Sequence, residues 1–472
     1  MKRSLALLCV FVLAVGILAG CATPTTTATT PAVTTAAGTG ATTTKAPGTT
    51  TTAGPVASKK VYFYAWTVAD NMIPLTTQFN KDFAGKYELT YMKMADAATL
   101  TINTALASGE QIDVMTQSGA FDLATRAVDN IFLPLNEFFT TWGTTYKEQL
   151  GAPTEATMNI NGKYYAIPYC RNYQMVFYNK TMFKAAGVAF PADNWTWADF
   201  QATAKKLTTG TGAAKVYGAM ADLLEYWPMV AYQKLGNFWY LNADKTATRF
   251  EDPAMKESAQ LWYDLAMVDK TVVPLSEYMT LKYNNDTNGM IGLYGGKYAM
   301  CFLPVYGCLY LNASYGAIPA GTDIGMANMP SPTGVSKPVT SFYTSTASIP
   351  ANVKDKVASW TLLKYITIDR ADLFAGPKAM HPGFDFKTPA DAAAFDKLIF
   401  NNHPGLDTAQ CLTLMAKPRD LVSQDITVLA GAAKITDLLK NNATLLFNGE
   451  LTVDKFLTTL KTDGDAAVKA GK

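Results

Sequence analysis

Apolar and polar positions alternate along most of the chain in two periods, and the switches between them mark out its elements. VYFYAW, from Val61 to Trp66, is a β-rich apolar run that reads as a strand. In the segment that follows, Leu75, Phe79 and Phe83 recur every fourth residue, the spacing of one helical face. YELTYMKM then reads as a strand, DAATLTINTALASG as a helix closing at Gly109, and IDVMTQ as a strand. Further on, Pro168 is expected to end one element, Gln174 to Tyr178 forms a strand, and Lys180 to Ala186 a short helix closed by Gly187. In NWTWADFQATAKKL, Thr196 can cap the amide three residues on, and Asp199 suits the positive end of the helix. SFYTSTASIP predicts a strand, KDKVASWTLLKYIT an amphipathic helix, and the C-terminal stretch is mainly helical. Alternating strands and helices predict an α/β fold with largely parallel sheets.

The N-terminus breaks this pattern. Lys2 and Arg3 precede an apolar stretch from about Leu5 to Leu18, followed by small residues, the layout of a secretory signal peptide. The stretch falls short of the roughly twenty residues a spanning helix needs. Leu18-Ala19-Gly20-Cys21 resembles the bacterial lipobox, which implies cleavage after residue 20 and a diacylglyceryl group on Cys21. Two acyl chains anchor stably where one binds only marginally. From Ala22 to about Ser58 the chain is rich in threonine and alanine, with Lys45 its single charge and no aromatic residue. It has too little to bury to repay the entropy of ordering, so residues 21–58 read as a lipidated cysteine and a disordered stalk. Such a threonine-rich tract is also open to glycosylation.

Composition narrows the function. Of the whole chain 49% is hydrophobic and 12% aromatic, ample for large cores. Removal of Lys2 and Arg3 with the signal takes the formal charge of +2 to zero. No basic excess is left to attract nucleic acid. Cys170, Cys301, Cys308 and Cys411 fit no zinc spacing. Cys301 and Cys308 are either paired or simply buried small hydrophobes. His381 and His403 each precede Pro-Gly, a turn setting rather than a metal site. Gly295-Gly296-Lys297 fails as a phosphate loop, because Ile291 and Tyr298 stand where glycine and a hydroxyl residue are required. Carboxylate pairs for glycoside cleavage leave no sequence spacing to read.

Five landmarks in register resemble the family 1 extracellular solute-binding proteins of bacterial importers. The longest is VFYNKTMFKAAGV from Val176 to Val188, followed by Pro191 and Trp195-Thr196-Trp197-Ala198-Asp199-Phe200. The others are Ser108-Gly109 with Asp113-Val114, the run Gly296 to Met300, and Asn448-Gly449-Glu450-Leu451-Thr452. The resemblance implies a two-lobed periplasmic-binding-protein-like α/β fold of type II, its discontinuous lobes joined by hinge strands with a cleft between them. By this reading residues 59–168 plus about 343–378 form the N-terminal lobe, and about 172–339 plus 386–472 the C-terminal lobe. Crossings fall near Tyr169 to Asn172, Thr340 to Phe342 and Lys378 to Phe386, where Pro382 and Gly383 suit a hinge.

The same resemblance implies a receptor without catalytic residues, metal or cofactor. It would be a monomer held by lipid to the outer face of the cell membrane and passing a sugar or oligosaccharide to the permease subunits of an ABC importer. A surface-anchored hydrolase, a receptor for another polar solute and an adhesion module remain alternatives. Sugar rings pair an apolar face with a hydroxyl rim, so aromatic walls edged by planar polar groups are the candidate contacts. Trp66 and Asp70 follow the first strand and Ser118 follows Asp113, positions at strand ends that face the crevice of an open α/β sheet. Tyr306 lies after Ala299-Met300 where relatives place a cleft aromatic. Arg171 and Asn172 lie at the first crossing, Phe342 and Tyr343 at the second, and Trp227 and Trp239 in the lobe that would cover the cleft. Each could equally be packing. Trp195 and Trp197 read as packing at a helix start, and Tyr178-Asn179 as a structural strand end.

Overall fold

Nine strands form among the described residues: β1 (Lys59–Ala65), β2 (Tyr87–Lys93), β3 (Val114–Ser118), β4 (Ile167–Asn179), β5 (Tyr217–Met220), β6 (Tyr298–Pro304), β7 (Ile324–Ala327), β8 (Val339–Ser348) and β9 (Asp420–Ser423). The structure, a computed structural model, describes residues 58–65, 72–94, 99–118, 123–424 and 431–471. The leader, Cys21, the stalk, Trp66 and Asp70 lie outside the described residues.

The strands hydrogen-bond in the order β2-β1-β3-β8-β4-β6-β5, with β7 added to β4 and β9 to β8. Four of the eight pairings are antiparallel: β3 with β8, and β4 with β6, β7 and β8. The sheet is therefore mixed, a correction to the largely parallel arrangement expected. Local alternation of strand and helix reveals parallel neighbours joined by crossovers. It is blind to a strand such as β8 that returns from far along the chain.

Pro168 does not end an element. It lies inside the thirteen-residue β4, where pairing with β8 shifts register between Pro168 and Cys170. A proline has no amide hydrogen to give the ladder, and a bulge is where a strand tolerates that loss.

The local signals elsewhere are realised. Thr196 Oγ1 accepts from the Asp199 amide at 3.2 Å, while the Asp199 carboxylate accepts from the Thr196 amide at 2.8 Å. Asn179 Oδ1 accepts from the Met182 amide at 3.1 Å, closing β4 onto the helix Lys180–Ala185. All four described cysteines are free and buried, so Cys301 and Cys308 are not joined.

Two separate cores flank the long strands. One holds Val61, Phe63, Leu75, Phe79 and Val114 together with Ile167, Tyr169 and Ala347. The other holds Val176, Phe177, Trp227, Trp262 and Phe302 together with Val339 and Phe456. The first half of β4, up to Tyr173, pairs with β8, and its second half pairs with β6 and β7. β4 and β8 thus begin in one core and end in the other. Residues near Tyr173 and Tyr343 sit where the strands pass between them.

Candidate functional site

Side chains on a strand point alternately to opposite faces, so the register of β4 on β8 sorts the crossing residues. Arg171 pairs with Thr344, Asn172 with Tyr343, and Tyr173 with Phe342. Arg171, Tyr173 and Phe342 therefore share one face, and Asn172, Gln174 and Tyr343 the other.

The second face opens on a cavity of about 650 Å³. Gln174 and Tyr343 form its floor, and Trp227, Trp239, Tyr226 and Phe302 much of its aromatic wall. Every residue of β8 is buried except Tyr343, which is half-buried there. Three carboxylates enter the lining from different places. Asp222 caps the short helix Leu223–Tyr226, which carries Glu225, and Asp286 opens the helix Asp286–Tyr294. Lys440, on the helix Ala432–Phe447, is the one ammonium in the lining among the described residues.

Each carboxylate is positioned by a neighbouring donor. The Tyr306 hydroxyl lies 2.8 Å from Asp286 Oδ2 and 2.8 Å from the Tyr343 hydroxyl, so three elements are linked in one relay. Gln174 Nε2 donates to Glu225 Oε1 at 3.2 Å, and the Tyr226 hydroxyl donates to Gln174 Oε1. Asp222 is fully engaged. Its Oδ1 accepts from the Leu224 amide at 2.9 Å and its Oδ2 from the Tyr278 hydroxyl at 3.0 Å. Among the described residues, no protein donor reaches Glu225 Oε2 or Asp286 Oδ1. The indole Nε1 of Trp239, in a side chain only 1% exposed, also has no partner there.

Like charges close together in a partly enclosed space raise carboxyl pKa values. Loss of solvation, with Asp222 and Asp286 nearby, pushes Glu225 up to about 8, and Lys440 pulls the other way. Protein surrounds the Glu225 carboxyl on most sides, although part of the residue is exposed to solvent. Desolvation raises Asp222 and Asp286 as well, against the lowering influence of the hydrogen bonds each accepts.

The opposite face of the crossing is closed around Arg171, while smaller cavities of about 320 and 150 Å³ open beside Tyr173. Arg171, 1% exposed, donates to Thr154 Oγ1 at 2.7 and 3.1 Å, to the Leu150 carbonyl at 2.6 Å and to Asp385. Its amide bonds the His381 carbonyl at 2.9 Å, and its guanidinium lies 5.8 Å from the Phe342 ring. His381 Nε2 and Asp396 Oδ1 are 2.8 Å apart, both residues buried. Gly383 belongs here too, since a Cβ at that position would stand 1.9 Å from the Pro168 carbonyl oxygen.

Of the ten expected contacts, Trp227, Trp239, Tyr306 and Tyr343 line the cavity. Trp227 also packs edge-on against Phe456 at 4.9 Å, so it serves the core as well. Arg171 and Phe342 do not line this cavity. Pairing register turns them to the closed face, where all three nitrogens of the guanidinium make hydrogen bonds. Asn172 is on the cavity face but 2% exposed, and both of its amide atoms lack partners among the described residues. Ser118 pairs through its backbone with Ser345 at the end of β3. Sequence reasoning passed over Gln174, Asp222, Glu225, Tyr278 and Asp286. ADLLEYW does hold a signal, two acids three apart in an apolar run, whereas Asp286 sits in the polar stretch NNDTNG, where an acid is unremarked.

No curated protein sequence matches the chain. Solved structures do. An ABC substrate-binding protein from Listeria monocytogenes in complex with cycloalternan aligns with a TM-score of 0.67 at 17% identity, covering 87% of this chain and 99% of that one. A cyclic alpha-maltosyl-1,6-maltose binding protein from Arthrobacter globiformis aligns at 0.66 and 18% identity, covering 89% and 100%. The sugar-binding protein MalE from Xanthomonas citri aligns at 0.62 and 16% identity, covering 87% and 98%. At such identities the likeness fixes the fold, the two-lobed α/β architecture of periplasmic binding proteins. A family model described as bacterial extracellular solute-binding protein matches residues 75–372, more than half of the sequence. The chain therefore belongs to the bacterial extracellular solute-binding proteins.

Proposed function

We propose that this protein is the receptor of an ABC importer and that it captures a sugar or oligosaccharide in the cavity beside the β4–β8 crossing. The observation that carries this reading is the cavity wall. Flat rings stand beside carboxylates whose free oxygens are ready to accept hydroxyl hydrogen bonds, the complement of a sugar's apolar face and polar rim. Relatives of the same fold include one crystallised with cycloalternan and one named for binding a cyclic maltose derivative. Residues 59–168 with about 343–378, and about 172–339 with 386–472, act as two lobes. A solute touching both shifts the population toward the closed form. Trp66, Asp70 and Ser118 are the candidates for contacts from the first lobe. A lipid on Cys21 and the stalk that follows tether the receptor outside the membrane, where it meets permease subunits. Among the described residues no helix is long and apolar enough to cross a bilayer.

The solute leaves unaltered in this reading. The test is a thermal-shift screen against a carbohydrate panel, followed by thin-layer chromatography of the sugar that binds. A binder at a hundredfold excess over Kd stabilises the protein by about 2.7 kcal/mol. Recovered sugar should be intact, and cleaved product would instead point to a hydrolase using Glu225 and its neighbours. For the tether, Cys21→Ser should move the protein from the membrane fraction to the medium, and continued retention would remove the anchor.

A further inference from the structure

The charge balance of the cavity asks for more than a neutral sugar. Three carboxylates line it against one lysine, and two of them keep an oxygen that no protein donor reaches among the described residues. No arginine enters the lining, and the single ammonium of Lys440 sits on an exposed residue. In the same wall Gln424 Nε2 and the indole Nε1 of Trp239 are buried without acceptors among the described residues, so the lining holds donors as well as acceptors. A neutral sugar could take the hydrogen bonds but would leave neighbouring carboxylates uncompensated. A protonated amine supplies both donors and positive charge, and charge-assisted hydrogen bonds to carboxylates are roughly twice as strong as neutral ones. The aromatic wall favours a cation further, since rings attract positive charge over their faces.

We propose, resting on the sugar-receptor reading above, that the preferred solute is an amino sugar whose ammonium binds between Glu225 and Asp286 while its ring lies against the aromatic wall of the cavity. No covalent step is involved. A proton does move. Glu225, raised chiefly by loss of solvation and further by Asp222 and Asp286, is largely protonated near pH 6.5, and an arriving ammonium drives it to ionise and release that proton. The other groups around it are Lys440, which favours ionisation, and the hydroxyls of Tyr226, Tyr278, Tyr306 and Tyr343, whose pKa values are all raised so that they stay neutral there.

Isothermal titration at pH 6.5 in two buffers of different ionisation enthalpy reads both affinity and proton release. The probes are glucosamine, galactosamine and the glucosamine disaccharide, each set against its N-acetyl and its hydroxyl counterpart. The expected result is binding of an amine at least tenfold tighter than of its neutral partners, with release of up to one proton. Glu225→Gln should abolish the proton release, and both it and Asp286→Asn should erase most of the preference while melting as the parent does. Equal affinity for amine and neutral sugars would overturn the inference and leave the sugar-receptor reading standing. Binding of none of the probes, in a protein that also ignores the wider carbohydrate panel, would remove both.

Discussion

β4 and β8 each leave one residue partly open where they pass between the cores, and the two face opposite ways. Tyr343 looks into a cavity lined with acids and aromatic rings. Tyr173 rests its ring 4.6 Å from that of His381, beside Arg171 and Phe342. On the cavity face, polar groups have vacancies: Glu225 Oε2, Asp286 Oδ1 and Trp239 Nε1 lack partners among the described residues. On the closed face, Arg171 spends its donors on Thr154, Leu150 and Asp385, and His381 Nδ1 is the vacancy that remains there among the described residues. Carboxylate oxygens without a protein donor beside a cavity are free to accept from a ligand. One face of the same strand pair holds the crossing together, and the other leaves polar groups open beside a cavity.

The largest expected effect tests the closed face. Arg171→Met leaves Thr154 Oγ1 and the Leu150 carbonyl buried without a donor, at about 1–3 kcal/mol each. The Asp385 pair contributes little, since that carboxylate is 58% exposed. Urea denaturation should show a loss of about 3 kcal/mol, with sugar affinity of the folded fraction within twofold of the parent. Unchanged stability with lost binding would exchange the roles of the two faces.

Next in size is Gly383→Ala. Its Cβ meets backbone at Pro168, so the third crossing must shift, and an overpacked site costs about 2 kcal/mol. Denaturation again reads it, and an unaffected midpoint would show that this crossing is slack. On the cavity face, Tyr306→Phe removes the hydroxyl linking Asp286 to Tyr343. Titration calorimetry should give about tenfold weaker sugar binding, or 1.4 kcal/mol, with little change in melting temperature. Collapse of stability with affinity intact would make Tyr306 a packing residue.

A further test is a pair of opposed pH slopes. Glu225 has a folded pKa raised to about 8, so the fold favours its protonated form. Its stabilising influence is complete below the unfolded carboxyl range and is lost as pH rises through about 8. Lys378 is buried near the third crossing, with its ammonium 3.8 Å from the centre of the Phe374 ring, and burial lowers its pKa to about 7. The unfolded chain holds that proton up to about 10.5, so this lysine makes stability rise with pH between about 7 and 10.5. His381, lowered chiefly by burial, acts in the same sense, costing stability as pH falls below its unfolded value. Stability measured against pH should lose part of its falling component in Glu225→Gln, Asp222 and Asp286 supplying the rest, and its alkaline rise in Lys378→Met. Matching profiles for both variants and the parent would mean that neither site titrates with folding.

How much of this could be read beforehand depended on distance along the chain. The Thr196 capping box and the Asn179 cap are settled within four residues, so the sequence displays them. Pro168 misled because a proline usually punctuates, and only the pairing of β4 with distant β8 shows that it sits at a bulge. Arg171 and Tyr343 were both legible as crossing residues. Which face each took was not, since a one-residue offset in register reverses the answer. The cavity acids come from Asp222, Glu225 and Asp286, which only the packing of separate helices brings together. Trp66 and Asp70 lie outside the described residues, and their roles stay with the proposal.

The most direct test is a crystal structure of the protein grown with the sugar that gives the largest thermal shift. Density for that sugar is expected against Trp239 and Tyr343, with an oxygen or nitrogen within 3.2 Å of Glu225 or Asp286. Density bound instead at the Arg171 face, with the cavity beside Tyr343 filled only by water, would contradict the division of the two faces.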